Sequence, residues 1–280
     1  MDDLSPASRR EFLKRATGAA LLAAAAPYAR AFAARGAIGI QLYSVRGLMA
    51  KDAGGTLAAL SAIGYREVEL AGFYGMTAAQ MKALLARHAL AAPSSHSSLT
   101  DLRAHWPQAL ADAQTLGQHY LVCAWIDEPD RTPDGYRKIA GEFNAFGKAA
   151  RERGIQFGFH NYTYDFKPFA NGTLPYDLLL AECDPQLVKF EIDLFWMAKG
   201  GADPVAYFAR WPGRFPLIHV KDMNAAGAMV DAGQGTIDIK AIVAHARQGG
   251  VEHWFVEHDE PPDPLGDARV SFDYLRPLIP

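Results

Sequence analysis

Cysteine is scarce: the chain has two among 280 residues. That is too few for a disulfide-stapled module, a zinc ribbon or an iron–sulfur carrier. Charge of one sign is also lacking. The formal net charge is −3, whereas a nucleic-acid-binding face is usually clearly basic, so no nucleic-acid partner is expected. No tract rich in glycine and serine, glutamine or proline marks disorder, and no repeat of about 20–50 residues is visible. Long apolar runs are missing too. The Ala/Leu-rich stretch at residues 16–26 has eleven residues, against the roughly 17–25 of a membrane-spanning helix. What remains is an ordinary globular balance, 50% apolar and 21% charged, which suits a chain with a sizeable core.

The first residues differ from the rest. Ser8-Arg9-Arg10-Glu11-Phe12-Leu13-Lys14 resembles the core of a twin-arginine export signal. The short apolar stretch follows, and Ala31-Phe32-Ala33 has the A-x-A form of a cleavage site. The expectation is a leader over 1–33 and a single catalytic domain over 34–280. A first amphipathic helix or an uncleaved anchor are the alternatives. Removing the leader would bring the length to the roughly 250 residues of one α/β barrel. It would also leave the remainder more acidic. The resemblance implies the twin-arginine export machinery as a partner and a periplasmic or exported location. That route takes folded cargo, which suits a protein that loads a particular metal before export.

Beyond the leader, short apolar runs alternate with longer helical patterns. The runs lie at 38–42, 67–70, 90–94, 120–124, 155–159, 188–192, 216–220 and 254–256. They are short and often β-branched or aromatic, as buried parallel strands are. Helical patterns fill the gaps at 56–63, 77–87, 101–116, 134–153, 176–182, 204–209, 239–247 and 272–278. Thr77 with Gln80 reads as a capping box. Gly64, Gly117 and Gly154 stand where a left-handed residue ends a helix. Eight strands, each followed by a helix, are the pattern of a (β/α)8 TIM barrel. A doubly wound sheet would show a glycine-rich turn after its first strand, and Gln41-Leu42-Tyr43-Ser44-Val45-Arg46 is not one.

Functional groups of such barrels sit at the C-terminal ends of the strands. Four consecutive strands end in His160, Asp193, His219 and Glu257. Neighbouring strands are about 4.8 Å apart, so these side chains can converge. Two imidazoles with two carboxylates suit a transition metal better than calcium. The alternative is structural: a histidine hydrogen-bonded in the core, with Asp193 and Glu257 capping the next helices. Tyr43, Glu69 and His96 end the first three strands and face the same mouth, as candidate substrate contacts. Trp196 can stack on a ring of the substrate or pack under a loop. Lys221 shares a face with His219, as a substrate contact or as a salt-bridge partner of Glu191. Asp222 is a candidate to hold a ligand histidine from behind. Cys123 and Cys183 fall at opposite ends of the barrel, so no disulfide is expected.

Several motifs carry a family resemblance. They are Gly39-Ile40-Gln41-Leu42-Tyr43-Ser44, Gly64-Tyr65-Arg66-Glu67-Val68-Glu69 and Phe159-His160-Asn161, followed by Glu191-Ile192-Asp193-Leu194-Phe195-Trp196. Beyond these come Gly213-Arg214 before His219-Val220-Lys221-Asp222, Gly233-Gln234-Gly235-Thr236-Ile237-Asp238 and Val256-Glu257-His258-Asp259. Together they resemble the xylose isomerase-like family of sugar (phosphate) isomerases and epimerases across residues 37–280. The resemblance implies one divalent metal, manganese first, with cobalt, magnesium, iron or zinc as alternatives. Asp193, His219 and Glu257 match three ligand positions. The fifth-strand ligand of the epimerases is commonly Glu. Here His160 is the best match, and Asp165 is second if the alignment slips into the loop.

That departure bears on the reaction. An epimerase of this type uses two carboxylates on opposite faces of the sugar. Glu257 remains a base, but the opposite carboxylate is missing, leaving His160, Lys221, His96 or Glu69 as the second group. The main expectation is an isomerase or epimerase acting beside the carbonyl of a sugar. A lyase or dehydratase, which needs one base and one acid, is the rival. A non-catalytic periplasmic sugar-binding protein and a metal-dependent endonuclease are further alternatives. Because sugar phosphates are mostly cytoplasmic, export favours a free sugar or glycoside as the small-molecule partner.

Overall fold

The computed structural model describes residues 37–279. The expected leader at 1–33 lies outside them. Eight parallel strands close into a barrel: β1 Ile38–Gln41, β2 Glu67–Leu70, β3 Ala91–Ser98, β4 Tyr120–Trp125, β5 Gln156–His160, β6 Val188–Asp193, β7 Leu217–Val220 and β8 His253–Val256. β1 closes it by pairing with β2 on one side and β8 on the other. Helices cover the outside, as the alternating pattern required. A small antiparallel ribbon, Asp222–Met223 with Met229–Val230, stands after β7. Among the described residues no helix is long and apolar enough to cross a membrane.

Local chemistry explains the boundaries. Thr77 accepts the Gln80 N–H, and the Gln80 side chain accepts the Thr77 N–H, completing the expected capping box. Gly64, Gly117 and Gly154 all have positive φ. The helix Pro133–Arg151 buries Tyr136, Ile139, Ala140, Phe143, Gly147 and Ala150, a stripe at three- and four-residue spacing.

Inside the barrel, Tyr120, Val122, Leu217 and Phe255 pack together below the mouth. The Phe255 ring occupies the space that a Cβ on Gly39 would need, so glycine is required there. At the N-terminal end of the strands His253 pairs with Glu67 at 2.7 Å. This is the end that supports stability rather than chemistry.

Among the elements that differ from the sequence expectation are β3 and the last helix. β3 runs on to Ser98, because its serines pair along β4 from Ser94 opposite Tyr120 to Ser98 opposite Trp125. Serine has little intrinsic strand preference, so this extension comes from the neighbouring strand. The last helix begins at Pro264, well before residue 272, with Pro in the first turn where its missing N–H costs nothing.

Candidate metal centre

The ends of β5 to β8 bring His160, Asp193, His219 and Glu257 together, with one ligand atom of each within 4.8 Å of the others. All four are buried. Asp193 serves two purposes. Its Oδ1 accepts the Trp196 N–H and caps the short helix Leu194–Lys199. Its Oδ2 turns to the cluster, 3.4 Å from His160 Nε2. Asn161 fixes this strand end by accepting the Asp193 N–H and donating to the Asp193 carbonyl.

A second group lies on the other side of His219. Glu69, His96, Glu191 and His219 also offer ligand atoms within 4.8 Å. His219 Nε2 is 2.6 Å from Glu69 Oε2 and 3.2 Å from Glu191 Oε1, while its Nδ1 is 2.6 Å from Glu257 Oε2. His96 Nε2 lies between Glu69 at 2.9 Å and Glu191 at 2.6 Å. Gln41 Nε2 donates to Glu69 Oε2 at 2.7 Å.

The chemistry of the two groups differs. Both ring nitrogens of His160 are buried without a hydrogen-bond partner, and the nearby Asp193 Oδ2 is ion-paired with Lys221 at 2.9 Å. Burial, with His219 and His96 nearby, holds the His160 ring below its usual value, so it is neutral. A neutral, unpartnered imidazole beside two carboxylates is a donor set suited to a divalent cation. His96 is instead satisfied. Burial alone would lower it, but Glu69 and Glu191 outweigh burial and push it up to about 9. The upper group therefore fits a metal. The lower one fits a second shell that holds the His219 ring with Nδ1 towards the upper group. Glu69→Gln is accordingly expected to weaken divalent-metal binding by about 10–100-fold. Chelator competition on the purified protein measures this; unchanged affinity would detach Glu69 from the centre.

Lys221 Nζ completes the charge balance. It lies 2.9 Å from Asp193 Oδ2, 2.8 Å from Glu257 Oε2 and 2.8 Å from Asp259 Oδ1. Burial works to lower this amine, but the three carboxylates hold it well above its usual value. Burial likewise works to raise the Glu257 carboxyl, but Lys221 and His219 hold it far below the carboxylate range.

A cavity of about 940 Å³ opens above the centre. Tyr43 and Trp125 stand on its rim, 42% and 40% exposed. Of the two groups, His96 and Glu257 line the cavity. Among the described residues its carboxylates are Asp101, Asp112, Glu257, Asp259 and Glu260, and no lysine or arginine lines it.

The structure redirects several expected roles. Glu69, expected at the mouth as a substrate contact, is fully buried, lies off the cavity lining and is held by Gln41, His96 and His219. Lys221 pairs with Asp193, Glu257 and Asp259, not with Glu191, and it does not line the cavity. Trp196 also lies off the lining and packs its ring near Tyr162 and Phe195. Asp222 holds no histidine. Its carboxylate accepts the N–H groups of Gly233, Gly235 and Ile237, and a Cβ on Gly235 would collide with it. This explains the Gly-Gln-Gly motif as a tight loop around a carboxylate. Cys123 and Cys183 are both free and buried.

Asp165 stays out of the cluster. Its carboxylate accepts the Tyr136 hydroxyl at 2.5 Å and the Tyr162 N–H at 2.7 Å. Burial pushes it up to about 7, against the lowering by those two donors. Free Asp titrates near ~3.9. Between these values the folded protein keeps a proton that the unfolded chain has lost, so this stabilisation is present at low pH and is lost as pH rises to about 7. Asp165→Asn is expected to flatten the fall in Tm between about pH 4 and about pH 7. An unchanged slope in thermal melts would reject a protonated Asp165.

Sequence reasoning named Glu191 only as a partner for Lys221 and missed Gln41, Trp125 and Tyr162. Glu191 was within reach, since it stands two residues before Asp193 and so on the same face. Gln41 stands two residues before Tyr43, at the last position of β1.

Comparison with known proteins agrees with this architecture. Residues 57–278 match the model of the xylose isomerase-like TIM barrel family. An inosose dehydratase from Lacticaseibacillus casei is 26% identical over 171 residues, which cover 53% of this chain. The chain spans about half of that relative's length, 56%. The crystal structure of a sugar phosphate isomerase/epimerase from Parabacteroides distasonis ATCC 8503 is 26% identical. It superposes with a TM-score of 0.77, covering 87% of this chain and 99% of that one. The IOLI protein, crystallised with a zinc atom, shares the fold at 13% identity and a TM-score of 0.69, over 87% of this chain and 98% of its own. With a matched family model over most of its length and a closed eight-stranded parallel barrel, the chain belongs to the xylose isomerase-like TIM barrel family.

Proposed function

We propose that this chain is a metal-dependent carbon–oxygen lyase acting beside a carbonyl of an uncharged sugar or glycoside. One observation carries the choice: of the two buried groups, Glu257 and His96 line the cavity, one carboxylate and one imidazole rather than two carboxylates. The L. casei relative named a dehydratase supports the same outcome. Among the described residues no lysine or arginine lines the cavity, which favours an unphosphorylated substrate, since phosphate recognition usually rests on those side chains.

His160, Asp193, His219 and Glu257 would hold the cation. When bound, it supplies Lewis-acid polarisation of the substrate's oxygens. Glu257 accepts the proton from the carbon next to the carbonyl. The released electron pair forms a carbon–carbon double bond as the neighbouring C–O bond breaks. The departing oxygen takes a proton from His96 and leaves as water or an alcohol. Tyr43 and Trp125 offer aromatic faces to the ring at the rim.

An epimerase is the second reading, favoured by the P. distasonis neighbour. It shares the first proton removal and returns a proton to the same carbon. Incubating the metal-loaded protein with keto-sugars and keto-glycosides in D2O separates the two. Release of an aglycone or water with an unsaturated keto-sugar supports the lyase. An epimer carrying deuterium, with no released group, would replace it by the epimerase. Sugar binding without turnover would leave a binding protein.

A twin-arginine leader over residues 1–33 would belong to the same reading, since an exported enzyme meets free sugars and glycosides. Arg9→Lys with Arg10→Lys is expected to keep the protein in the cytoplasm at full length. N-terminal sequencing of periplasmic material tests this, and unaltered periplasmic yield of the double variant would refute it.

A further inference from the structure

The cavity does not end at the barrel mouth. It continues behind β3, between that strand's outer face and the helix Leu99–Leu116. Such strand–helix seams are ordinarily closed by apolar side chains. Here Ser95 and Ser97 stand on the outer face, alternating with inward-facing His96. The helix is bent at His105, two residues ahead of Pro107, whose ring and missing N–H break the helical ladder. Small Ala109 and Ala113 follow on the turns beyond the bend, and both line the gap.

The gap is polar and has an unmet donor. Gln118 is 4% exposed, and its Oε1 accepts the Ser95 hydroxyl at 2.9 Å. Its Nε2 is buried with no partner. A buried amide N–H without an acceptor is costly, and a ligand that brings one relieves it. Asp112 lines the same gap, with Gln108 donating to it at 3.0 Å. Among the described residues no lysine or arginine lines the gap, so a phosphate or carboxylate there would meet Asp101 and Asp112. The whole cavity, about 940 Å³, lies at the upper end of the ~300–1,000 Å³ of pockets that enclose drug-sized ligands. That is far more than one sugar ring fills.

We infer that this gap is a subsite for the neutral, hydroxyl-bearing group attached to the reacting sugar, such as the second ring of a glycoside. Gln118 Nε2 donates to one of its hydroxyls, and Asp112 and Ser97 accept from others. The inference rests on the reading that a sugar binds at Glu257. It adds that the substrate is extended, and that its leaving alcohol is released into the gap behind β3.

Titration calorimetry on the metal-loaded full chain tests it. The probes are methyl glucoside, the neutral disaccharides cellobiose, maltose and trehalose, and glucose 6-phosphate. The expected result is that at least one disaccharide binds about tenfold or more tighter than methyl glucoside, with glucose 6-phosphate the weakest. Gln118→Met, which exchanges the amide for an apolar group of similar size, should remove that gain and leave methyl glucoside unchanged. Ala109→Phe, which narrows the gap, should do the same, and a thermal melt verifies that each variant folds. Disaccharides no tighter than methyl glucoside, or a gain that survives both variants, would overturn the subsite alone. Failure of every sugar to bind would overturn the sugar-enzyme reading and the subsite together. Tightest binding of glucose 6-phosphate would overturn the neutral character assigned to the gap.

Discussion

His219→Ala is expected to leave the purified protein without bound divalent metal, its affinity falling by more than the about 100-fold upper range of outer-shell changes. The reason is the position of this ring between both groups. Its Nδ1 faces Glu257 and Asp193, at 2.6 and 3.9 Å, and its Nε2 faces Glu69 and Glu191. Removing it takes a donor from the upper group and a charge partner from four buried carboxylates. The metal-free variant should therefore also melt well below the metal-free wild type, since carboxylates left together in the interior repel one another. His160→Ala is the informative companion. Its ring has no hydrogen bond to lose. It should shed metal as well, yet melt close to the metal-free wild type apart from a packing loss. Metal analysis after dialysis, with melts in chelator, gives both readouts. Full metal retention in His219→Ala would reject the centre, and retention in His160→Ala alone would move the fourth ligand elsewhere.

The fold was open to reading because its strands are short apolar runs separated by well-capped helices, and those signals are local. Thr77 with Gln80, and the glycines at 64, 117 and 154, acted through the backbone of their own turns. Strand parity then pointed His219 and Glu257 inward. Where reasoning fell short, the deciding partner was distant in sequence. Glu69 looked like a substrate contact from β2 alone, but it is claimed by His219, which lies 150 residues away. Asp222 sits next to Lys221 and seemed part of the site, yet its partners are loop N–H groups at 233, 235 and 237. The serines of β3 gave no strand signal, and their outer face gave no hint of a gap, because both depend on how β4 and the bent helix are placed. The choice between His160 and Asp165 likewise turned on Tyr136, a helix residue whose hydroxyl holds Asp165 away from the cluster.

Lys221→Met should lower the stability of the metal-free protein by about 3–5 kcal/mol, the usual cost of removing one side of a buried ion pair. The amine is 2% exposed and is shared by three carboxylates, Asp193, Glu257 and Asp259. Methionine keeps most of the stem, so the change isolates charge from packing, which alanine would not. Because the three carboxylates hold the amine well above its usual value, it is charged in the folded protein below that raised value. The stabilisation is therefore complete at neutral pH and is lost only as pH rises past the ordinary lysine range. For a domain of this size the deficit corresponds to a Tm lower by on the order of 10 °C. Added divalent metal should then narrow the gap. A cation at His160, Asp193, His219 and Glu257 restores positive charge beside two of the three stranded carboxylates, so the variant gains more from metal than the wild type does. Ligand at about 100 times its Kd contributes about 2.7 kcal/mol on its own, which sets the gain the wild type should show. The exposed pair Arg46–Glu260, at 2.6 Å on the rim, serves as a control. Breaking it should cost about 0–1 kcal/mol with or without metal. Melts of the three proteins across a metal titration decide the matter. A Lys221→Met deficit that is the same at every metal concentration would show that this lysine and the metal centre do not share their carboxylates.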